Sequence, residues 1–212
     1  MMASLRRLPL RLFHRGSAFV LGAFLAVHLA NHAAGLASQS AHMEFMQAVR
    51  PLYRNAVVEP LLLGLLGFQV ISGSAMVIRG WSARRGKVAW LQAVSGIYLA
   101  LFVVLHTSAV LAGRGQLHLD TDFRFAAAGF HVPGWAWYFW PYYSLAVLAV
   151  FAHVGSAFYW RYRDRNRSGA RLMLSGMALT GAVLGLLIAF ALSGNLYPVE
   201  IPASYKATYG SD

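Results

Sequence analysis

The sequence predicts an all-α integral membrane protein whose five transmembrane helices form one bundle. Three observations support this fold class: the composition, a series of five apolar runs, and the position of the basic residues between those runs. Of 212 residues, 58% are hydrophobic and only 12% are charged, unlike an average soluble domain. Cysteine is absent, which excludes disulfides, iron–sulfur clusters and thiolate metal ligands, so any metal would need His, Met or oxygen ligands.

The five apolar runs are long enough to cross a bilayer, which takes about 20 apolar residues in a helix. They span residues 16–37, 57–79, 90–113, 136–160 and 171–193. A short polar tail follows at 194–212, so we expect residues 1–212 to form a single membrane domain. Gly181 and Gly185 in the fifth run predict a close approach by another helix.

The basic residues predict the orientation of the helices. The net charge is +11, but the charges form short clusters between apolar runs rather than one patch, which argues against a nucleic-acid partner. Of the 18 Lys and Arg residues, 13 flank the same side of the bundle: Arg6, Arg7, Arg11, Arg15, Arg79, Arg84, Arg85, Lys87, Arg161, Arg163, Arg165, Arg167 and Arg171. Since basic residues concentrate on the cytoplasmic side, this distribution predicts a cytoplasmic N-terminus and an outer C-terminus. We expect a multi-pass protein of a bacterial-type inner membrane, surrounded by lipid.

An internal repeat carries the candidate cofactor site. The segment SAFVLGAFLAVH (17–28) aligns without gaps with SGIYLALFVVLH (95–106), so His28 corresponds to His106. Both runs are expected to cross in the same direction, and each histidine follows the shared serine by 11 residues, so both should reach the same depth in the outer half. Two level imidazoles on neighbouring parallel helices can hold one flat cofactor, which predicts that His28 and His106 are the axial ligands of a haem iron.

Other interpretations of these histidines stay open. An intramembrane histidine often only hydrogen-bonds a neighbouring helix, and this is the alternative for His28 and His106. His32 lies one turn beyond His28 on the same face, and Val110 stands at the matching position of the repeat. We expect His32 to hydrogen-bond a haem propionate or to line the outer mouth of the site. A non-haem metal site formed by the three histidines is a further alternative, although the apolar runs lack the carboxylates that normally complete one.

His153 lies in the inner half of the fourth run. A second haem at that depth would need a ligand from the second run, which contains no histidine. Gln69 lies near the required depth, but an amide is a poor haem ligand. We interpret His153 first as a structural histidine, and otherwise as a partner of another ligand or as the single ligand of a weak inner haem. In the structural case, Phe68, Ile71 and Phe151 should fill the space beside it, and Gln69 should hydrogen-bond its imidazole.

Three features near the predicted membrane surface have less specific interpretations. Glu59 begins the second run and is a candidate for proton transfer to an outer quinone, or is simply a charge that complements the helix dipole. The loop HLDTD (118–122) has residue types found in metal sites, but we expect its side chains to be solvated. The segment GFHVPGWAWYFWPYY (129–143) is interpreted as an interfacial aromatic girdle that anchors the fourth helix.

The order of these segments resembles the five-helix cytochrome b subunit of succinate:quinone oxidoreductases, particularly the dihaem fumarate reductase type. The resemblance rests on the two repeat segments and on WPYYSLAVLAVFAHVGSAFYWRYR (140–163). It implies that His28 and His106 ligate an outer haem b and that His153 lies on one side of an inner haem. HRGS at 14–17 is similar to the His-Arg-x-Ser/Thr entry to the first helix of single-haem relatives, which lies near quinone and implies Arg15 and Ser17 as quinone candidates.

The resemblance also implies an activity. The chain would be a membrane anchor that passes electrons between a quinone and cytoplasmic flavoprotein and iron–sulfur subunits, since it has no nucleotide-binding fingerprint or cluster ligands of its own. Two neutral imidazoles leave a low-spin iron without an open position, which suits electron transfer rather than oxygen binding. We expect one haem b per chain, with two as the alternative. The competing hypothesis is a non-enzymatic accessory or assembly subunit that retains the fold without electron transfer.

Overall fold

The computed structural model describes residues 7–210, with side chains from Leu10 onwards; Arg6 and the side chain of Arg7 lie outside the described residues. The described part of the chain is helical and contains no strand, which confirms the all-α prediction. Its α-helices are α1 (Arg7–Ala34), α2 (Gln39–Tyr53), α3 (Val58–Arg79), α4 (Lys87–Gly115), α5 (Phe123–Ala127), α6 (Ala136–Tyr162), α7 (Arg167–Leu192) and α8 (Ala203–Lys206). Two short 3₁₀ segments follow α5 and α8, at Ala128–His131 and Ala207–Tyr209.

Five of these helices, α1, α3, α4, α6 and α7, are long and apolar enough to cross a membrane. They correspond to the five predicted runs. The largest difference is at α1, which begins at Arg7 rather than at residue 16. The added residues are mostly arginines and leucines, which favour helix, and Pro9 falls in the first turn, where its missing N–H costs no intrahelical hydrogen bond.

The helices pack in the order α1, α3, α4, α6, α7, with α7 also reaching α1. Neighbours in this order are antiparallel, except that α7 and α1 run in the same direction. The end of the bundle where α1, α4 and α7 terminate carries α2, α5 and α8, and is called the α2 end. The opposite end carries the arginine-rich connections and is called the arginine end.

The α6–α7 pair is the most closely packed part of the bundle. A Cβ atom added at Gly185 would lie 2.6 Å from the Ser144 carbonyl oxygen, and one added at Gly181 would lie 2.6 Å from the Phe151 Cβ. The predicted close approach at these glycines is therefore confirmed. The main hydrophobic core adjoins this pair at the α2 end and includes Phe123, Phe139 and Leu192.

The other three long helices are packed more loosely. The share of buried residues in the most apolar window is 39% for α6 and 28% for α7, but 17% for α1, 6% for α3 and 11% for α4. Backbone contacts between α1 and α4 are few or absent, since α1 packs mainly on α3 and α4 packs mainly on α6. Side chains, rather than backbones, therefore meet in the space between α1 and α4.

Two loop expectations differ from the structure. Asp122 of the HLDTD loop is buried and accepts hydrogen bonds from the backbone N–H groups of Arg124 and Phe125, because it caps α5; the expectation that it is solvated is wrong. Within the aromatic segment 129–143, Phe130 and Phe139 are buried core residues rather than interfacial anchors. The girdle interpretation fits the exposed Trp137.

Candidate functional site

The candidate site is a group of four histidines at the α2 end. His28 and His32 come from α1, His42 from α2 and His106 from α4, and we call them the α2-end histidine cluster. The ring centroids of His28 and His106 lie 6.1 Å apart, those of His28 and His32 lie 4.9 Å apart, and those of His32 and His42 lie 5.3 Å apart. The structure thus brings the two histidines of the sequence repeat side by side and extends the row towards α2.

The repeat also sets how the two central rings are oriented. Phe24 precedes His28 by four residues and stacks on its ring at 5.8 Å with an interplanar angle of 22°. Phe102 precedes His106 by four residues and stacks at 5.1 Å and 13°. Residues four apart lie on the same helix face, so each phenylalanine supports the histidine one turn later. The same residue pair performs the same positioning role on both helices.

The spacing of His28 and His106 is suitable for two imidazoles on opposite sides of one metal ion. A ligating nitrogen lies about 2.0 Å from its metal and about 1.2 Å from its own ring centre, so two such rings have centroids about 6.4 Å apart. The observed separation is 6.1 Å. In the described part of the chain neither ring has a hydrogen-bond partner, so its nitrogens are not committed to other groups.

A site with three or more protein ligands is not present among residues 7–210. No group of three or more His, Asp or Glu side chains in that range is arranged to hold a metal ion.

Buried polar atoms without partners lie beside this pair. His42 is 3% exposed, and its Nε2 is 3.2 Å from the Asn31 amide nitrogen. Among the described residues, the Nδ1 atoms of His32 and His42 and the Oδ1 atom of Asn31 have no hydrogen-bond partner. A buried polar atom without a partner costs stability, so these three atoms suit a polar group of a ligand.

The charge state of His42, the histidine that α2 adds to the cluster, is set by its surroundings. Burial, together with the charges of His28 and Arg50, lowers the pKa of His42 to about 4. His42 therefore stays neutral over the range of pH 5 to 8 in which a free histidine titrates.

Ion pairs hold α2 over the cluster. Arg50 Nη1 donates to Asp120 Oδ2 at 3.0 Å, and Arg54 Nη1 donates to Asp120 Oδ1 at 3.5 Å. Burial opposes ionisation of Asp120, but the hydrogen bonds and charges of Arg50 and Arg54 outweigh it, and the pKa of this carboxyl is lowered. Burial raises the pKa of the Tyr53 phenol, whose ring contacts Phe24 at 5.4 Å. These contacts tie the α2 segment to both α1 and the α4–α5 connection.

A second pair of histidines lies at the arginine end, and we call it the arginine-end histidine pair. His14 Nδ1 is 2.7 Å from the Ser72 hydroxyl of α3. His153 Nδ1 is 3.0 Å from the Gln92 carbonyl oxygen and 3.3 Å from the Ser95 hydroxyl, both on α4. Each ring is thus held through Nδ1 by a neighbouring helix.

The predicted surroundings of His153 were wrong. Gln69 Nε2 donates to the His14 carbonyl oxygen at 2.9 Å and to Ser17 Oγ at 3.2 Å, not to His153. Ile71 is 72% exposed, so it does not fill the space beside His153, and Phe151 contacts Gly181 of α7. The reason is the helix order: Gln69 of α3 reaches α1, whereas α6 presents His153 to α4.

The three quinone candidates lie at opposite ends of the bundle. Glu59 accepts a hydrogen bond from Arg114 at the α2 end. Arg15 is exposed near the arginine end, and Ser17 donates to the Phe13 carbonyl oxygen at 2.9 Å. Glu59 therefore cannot belong to one site with Arg15 and Ser17.

Comparison with known proteins adds no relative. No protein-family model, curated protein or solved structure matches this chain. Any functional conclusion therefore rests on the residues and their geometry.

Sequence reasoning gave no site role to two of the six clustered histidines, His14 and His42. His42 lies in α2, whose N-cap Ser38 and amphipathic pattern were available signals. His14 shares a helix face with Ser17 and His28, because these positions are separated by whole numbers of turns or nearly so. Extending the face of His28 back along α1 would have revealed it.

Proposed function

We propose that this chain is a haem b-binding membrane subunit that passes electrons between a quinone and cytoplasmic flavoprotein and iron–sulfur subunits, as in succinate dehydrogenase or fumarate reductase. The observation that carries the proposal is the pair His28 and His106, which come from equivalent positions of a repeat and lie 6.1 Å apart between loosely packed helices. In this proposal the helices cross a bacterial-type inner membrane with the arginine end in the cytoplasm.

The residues around the pair have separate roles. A haem bound there would supply one-electron redox chemistry in a low-dielectric setting. His28 and His106 would donate nitrogen lone pairs to the iron, while Phe24 and Phe102 hold the planes of the two imidazoles. His32 would offer its unpartnered Nδ1 to a polar edge of the haem, such as a propionate.

Quinone contact is proposed at one or both ends of the bundle. Arg15 and Ser17 lie near the arginine end, where the soluble partners would bind. Glu59 lies at the α2 end, where its carboxylate is paired with Arg114 and could exchange a proton with solvent. The clear separation of these residues means that substitutions at Arg15 and Glu59 test different quinone sites.

The experiment is to measure haem content in the purified full-length chain. We expect His28→Ala and His106→Ala each to abolish the low-spin spectrum of the same haem and to lower the haem content, because the iron loses one of its two axial ligands. His118→Asn is the matched control: His118 is exposed at the α2 end with a φ of 53°, a conformation that asparagine tolerates. Unchanged haem content in both alanine variants would contradict the proposal.

The accessory-subunit hypothesis is the second candidate. It is favoured by the absence of any histidine from α3, the helix that supplies a ligand in the resembling family. It predicts that folded protein, purified from cells supplied with haem precursor, contains no haem. A clear low-spin spectrum in the parent protein would eliminate it.

A further inference from the structure

We infer that three arginines at the arginine end form a binding site for the phosphate group of an anionic phospholipid. They are Arg11 of α1, Arg79 at the end of α3, and Arg84 of the α3–α4 connection. The inference takes the five long helices as membrane-spanning and does not depend on the proposed haem function. It gives a ligand to basic residues whose positions otherwise predict only the orientation of the helices.

A small cavity lies between α1 and α3 at this end of the bundle. Its volume is about 50 Å³, and it is lined by Leu10, Arg11, Met76, Arg79 and Gly80. A single water needs about 10–15 Å³, so the cavity can hold the oxygens of one phosphate group. Two lining residues are arginines, whose guanidinium groups bind phosphate oxygens in pairs. The other side chains are apolar and suit the glycerol and acyl part of a lipid.

The third arginine is held beside this cavity by two indole rings. The Cζ atom of Arg84 lies 5.6 Å from the ring centroid of Trp81 and 5.3 Å from that of Trp90. The two indoles are perpendicular to each other, with centroids 5.1 Å apart, and both attract the cation. A Cβ atom added at Gly80 would lie 3.5 Å from Arg84 Nη2. The guanidinium therefore lies against a residue that lines the cavity.

The guanidinium of Arg84 has hydrogen-bonding capacity that the described part of the chain does not use. Its Nη2 atom donates to the Val77 carbonyl oxygen at 3.4 Å. Its Nη1 atom is buried and has no hydrogen-bond partner within that part of the chain. A buried donor without a partner costs stability, and more so when the group is charged. A phosphate oxygen in the adjoining cavity can accept from Nη1 and remove this cost.

The positive charge of the site has no counter-charge among residues 10–210. In that range the only acidic side chain at the arginine end is Asp164, which pairs with Arg163 at 3.3 Å in the α6–α7 connection. At the α2 end, by contrast, Arg50, Arg54 and Arg114 each pair with a carboxylate. An external anion can supply at the arginine end what side chains supply at the α2 end.

The two tryptophans indicate that this anion is a lipid. Trp81 is 52% exposed and Trp90 is 38% exposed. Tryptophan rings of membrane proteins concentrate at the membrane–water interface, at the level of the lipid headgroups. Arg84, which lies between the two rings, is therefore at the depth of the lipid phosphates. A phosphate ion from solution would have no use for the apolar part of the cavity lining.

The charges also select among phospholipids. A zwitterionic headgroup carries an ammonium group close to its phosphate, and three guanidinium groups would repel it. The described residues around the cavity include no carboxylate that could pair with that ammonium group. An anionic headgroup such as that of phosphatidylglycerol carries no cation. We therefore expect the site to prefer a lipid with a net negative charge.

The test is native mass spectrometry of the delipidated full-length chain in detergent, titrated with dioleoylphosphatidylglycerol or dioleoylphosphatidylcholine. We expect the first phosphatidylglycerol to bind about tenfold more tightly than the first phosphatidylcholine. Arg84→Gln should weaken the binding of phosphatidylglycerol by about tenfold, because it removes a charge-assisted hydrogen bond. Arg85→Gln is the matched control, because Arg85 is exposed and donates to the carbonyl oxygens of Ser82 and Arg84. It should retain the affinity of the parent.

A second variant covers the case in which Arg84→Gln does not fold. Arg79 lines the cavity, is exposed, and makes no ion pair in the described part of the chain, so Arg79→Gln should leave the fold intact. It should weaken phosphatidylglycerol binding by about fivefold. Equal weakening in Arg79→Gln and Arg85→Gln would overturn the site, because it would indicate attraction by net charge alone.

Two further results would contradict the inference. Phosphatidylcholine that binds the parent as tightly as phosphatidylglycerol would overturn the preference for an anionic lipid. Release of bound phosphatidylglycerol by inorganic phosphate at a similar concentration would make a free phosphate the occupant and overturn the lipid assignment. None of these measurements depends on haem content, so the proposed function is tested separately.

Discussion

The two histidine groups hold the same side chain in two different ways. At the α2 end, His28 and His106 are positioned by stacked phenylalanines and by each other. At the arginine end, His14 and His153 are positioned by hydrogen bonds to Ser72 and to α4. Stacking fixes the plane of a ring but not its tautomer, whereas the Gln92 carbonyl oxygen can only accept and so places a proton on His153 Nδ1. The arginine-end pair is therefore defined by its hydrogen bonds, and the α2-end pair is defined by its spacing.

The largest expected effect at the α2 end is its response to acid. The folded pKa of His42 is about 4, below its unfolded value near 6.5, so the unfolded chain binds the proton more readily. Stability should be complete above pH 6.5 and fall as the pH decreases from 6.5 to 4, by about 3 kcal/mol from this residue. Denaturant unfolding of the parent and His42→Gln over this range measures it. Parallel profiles of stability against pH for the two proteins would contradict the prediction that His42 is held neutral at the α2 end.

Glycine substitutions should distinguish the two rings of the arginine-end pair. Gly96→Ala places a Cβ 3.0 Å from the His153 ring and forces the ring to move by a few tenths of an ångström, which should cost about 1–3 kcal/mol. Gly73→Ala makes an ordinary contact at 3.4 Å with His14 and is the matched control. Thermal unfolding measures both effects. Equal effects of the two substitutions would show that the close approach of Gly96 to His153 is unimportant.

A smaller effect is expected from the hydrogen bond between Asn31 and His42 at the α2 end. Asn31→Ala removes the amide beside His42 Nε2 and leaves that buried nitrogen without a partner, at a cost of about 1 kcal/mol. Asn31→Asp is the informative companion, because a carboxylate there should raise the pKa of His42 towards its ordinary value. Unfolding measurements at neutral pH test the first variant, and the pH profile tests the second. If neither the stability of Asn31→Ala nor the pH profile of Asn31→Asp differs from the parent, the Asn31–His42 contact does not form in solution.

The smallest effect should come from the ion pair nearest the surface. Glu59→Gln removes the charge opposite Arg114 and should cost less than about 1 kcal/mol, because partly exposed pairs contribute little and are screened by salt. If Glu59 instead transfers protons to a quinone, the same variant should slow quinone reduction far more than it lowers stability. Measuring both in one preparation separates the two roles. Arg114→Gln is the control for loss of the pair.

The sequence predicted the five long helices and the His28–His106 pair because both depend on local patterns. Apolar run length defines a membrane-spanning helix, and a repeat of aligned residues places two histidines at one depth. The arginine-end pair depends on contacts between residues about 60 positions apart, which no local sequence pattern predicts. The α2 helix was missed because its 15 residues are polar on one face and too short to span a bilayer.

The most direct test of the account compares two histidines one turn apart on the same face of α1. His28→Ala should abolish the low-spin component of the α2-end haem in the reduced-minus-oxidised spectrum, because His28 is proposed as an axial ligand. His32→Ala should leave that component largely in place, because His32 contacts only the edge of the site. Loss of the component in His32→Ala with retention in His28→Ala would contradict the central assignment of the haem to His28 and His106.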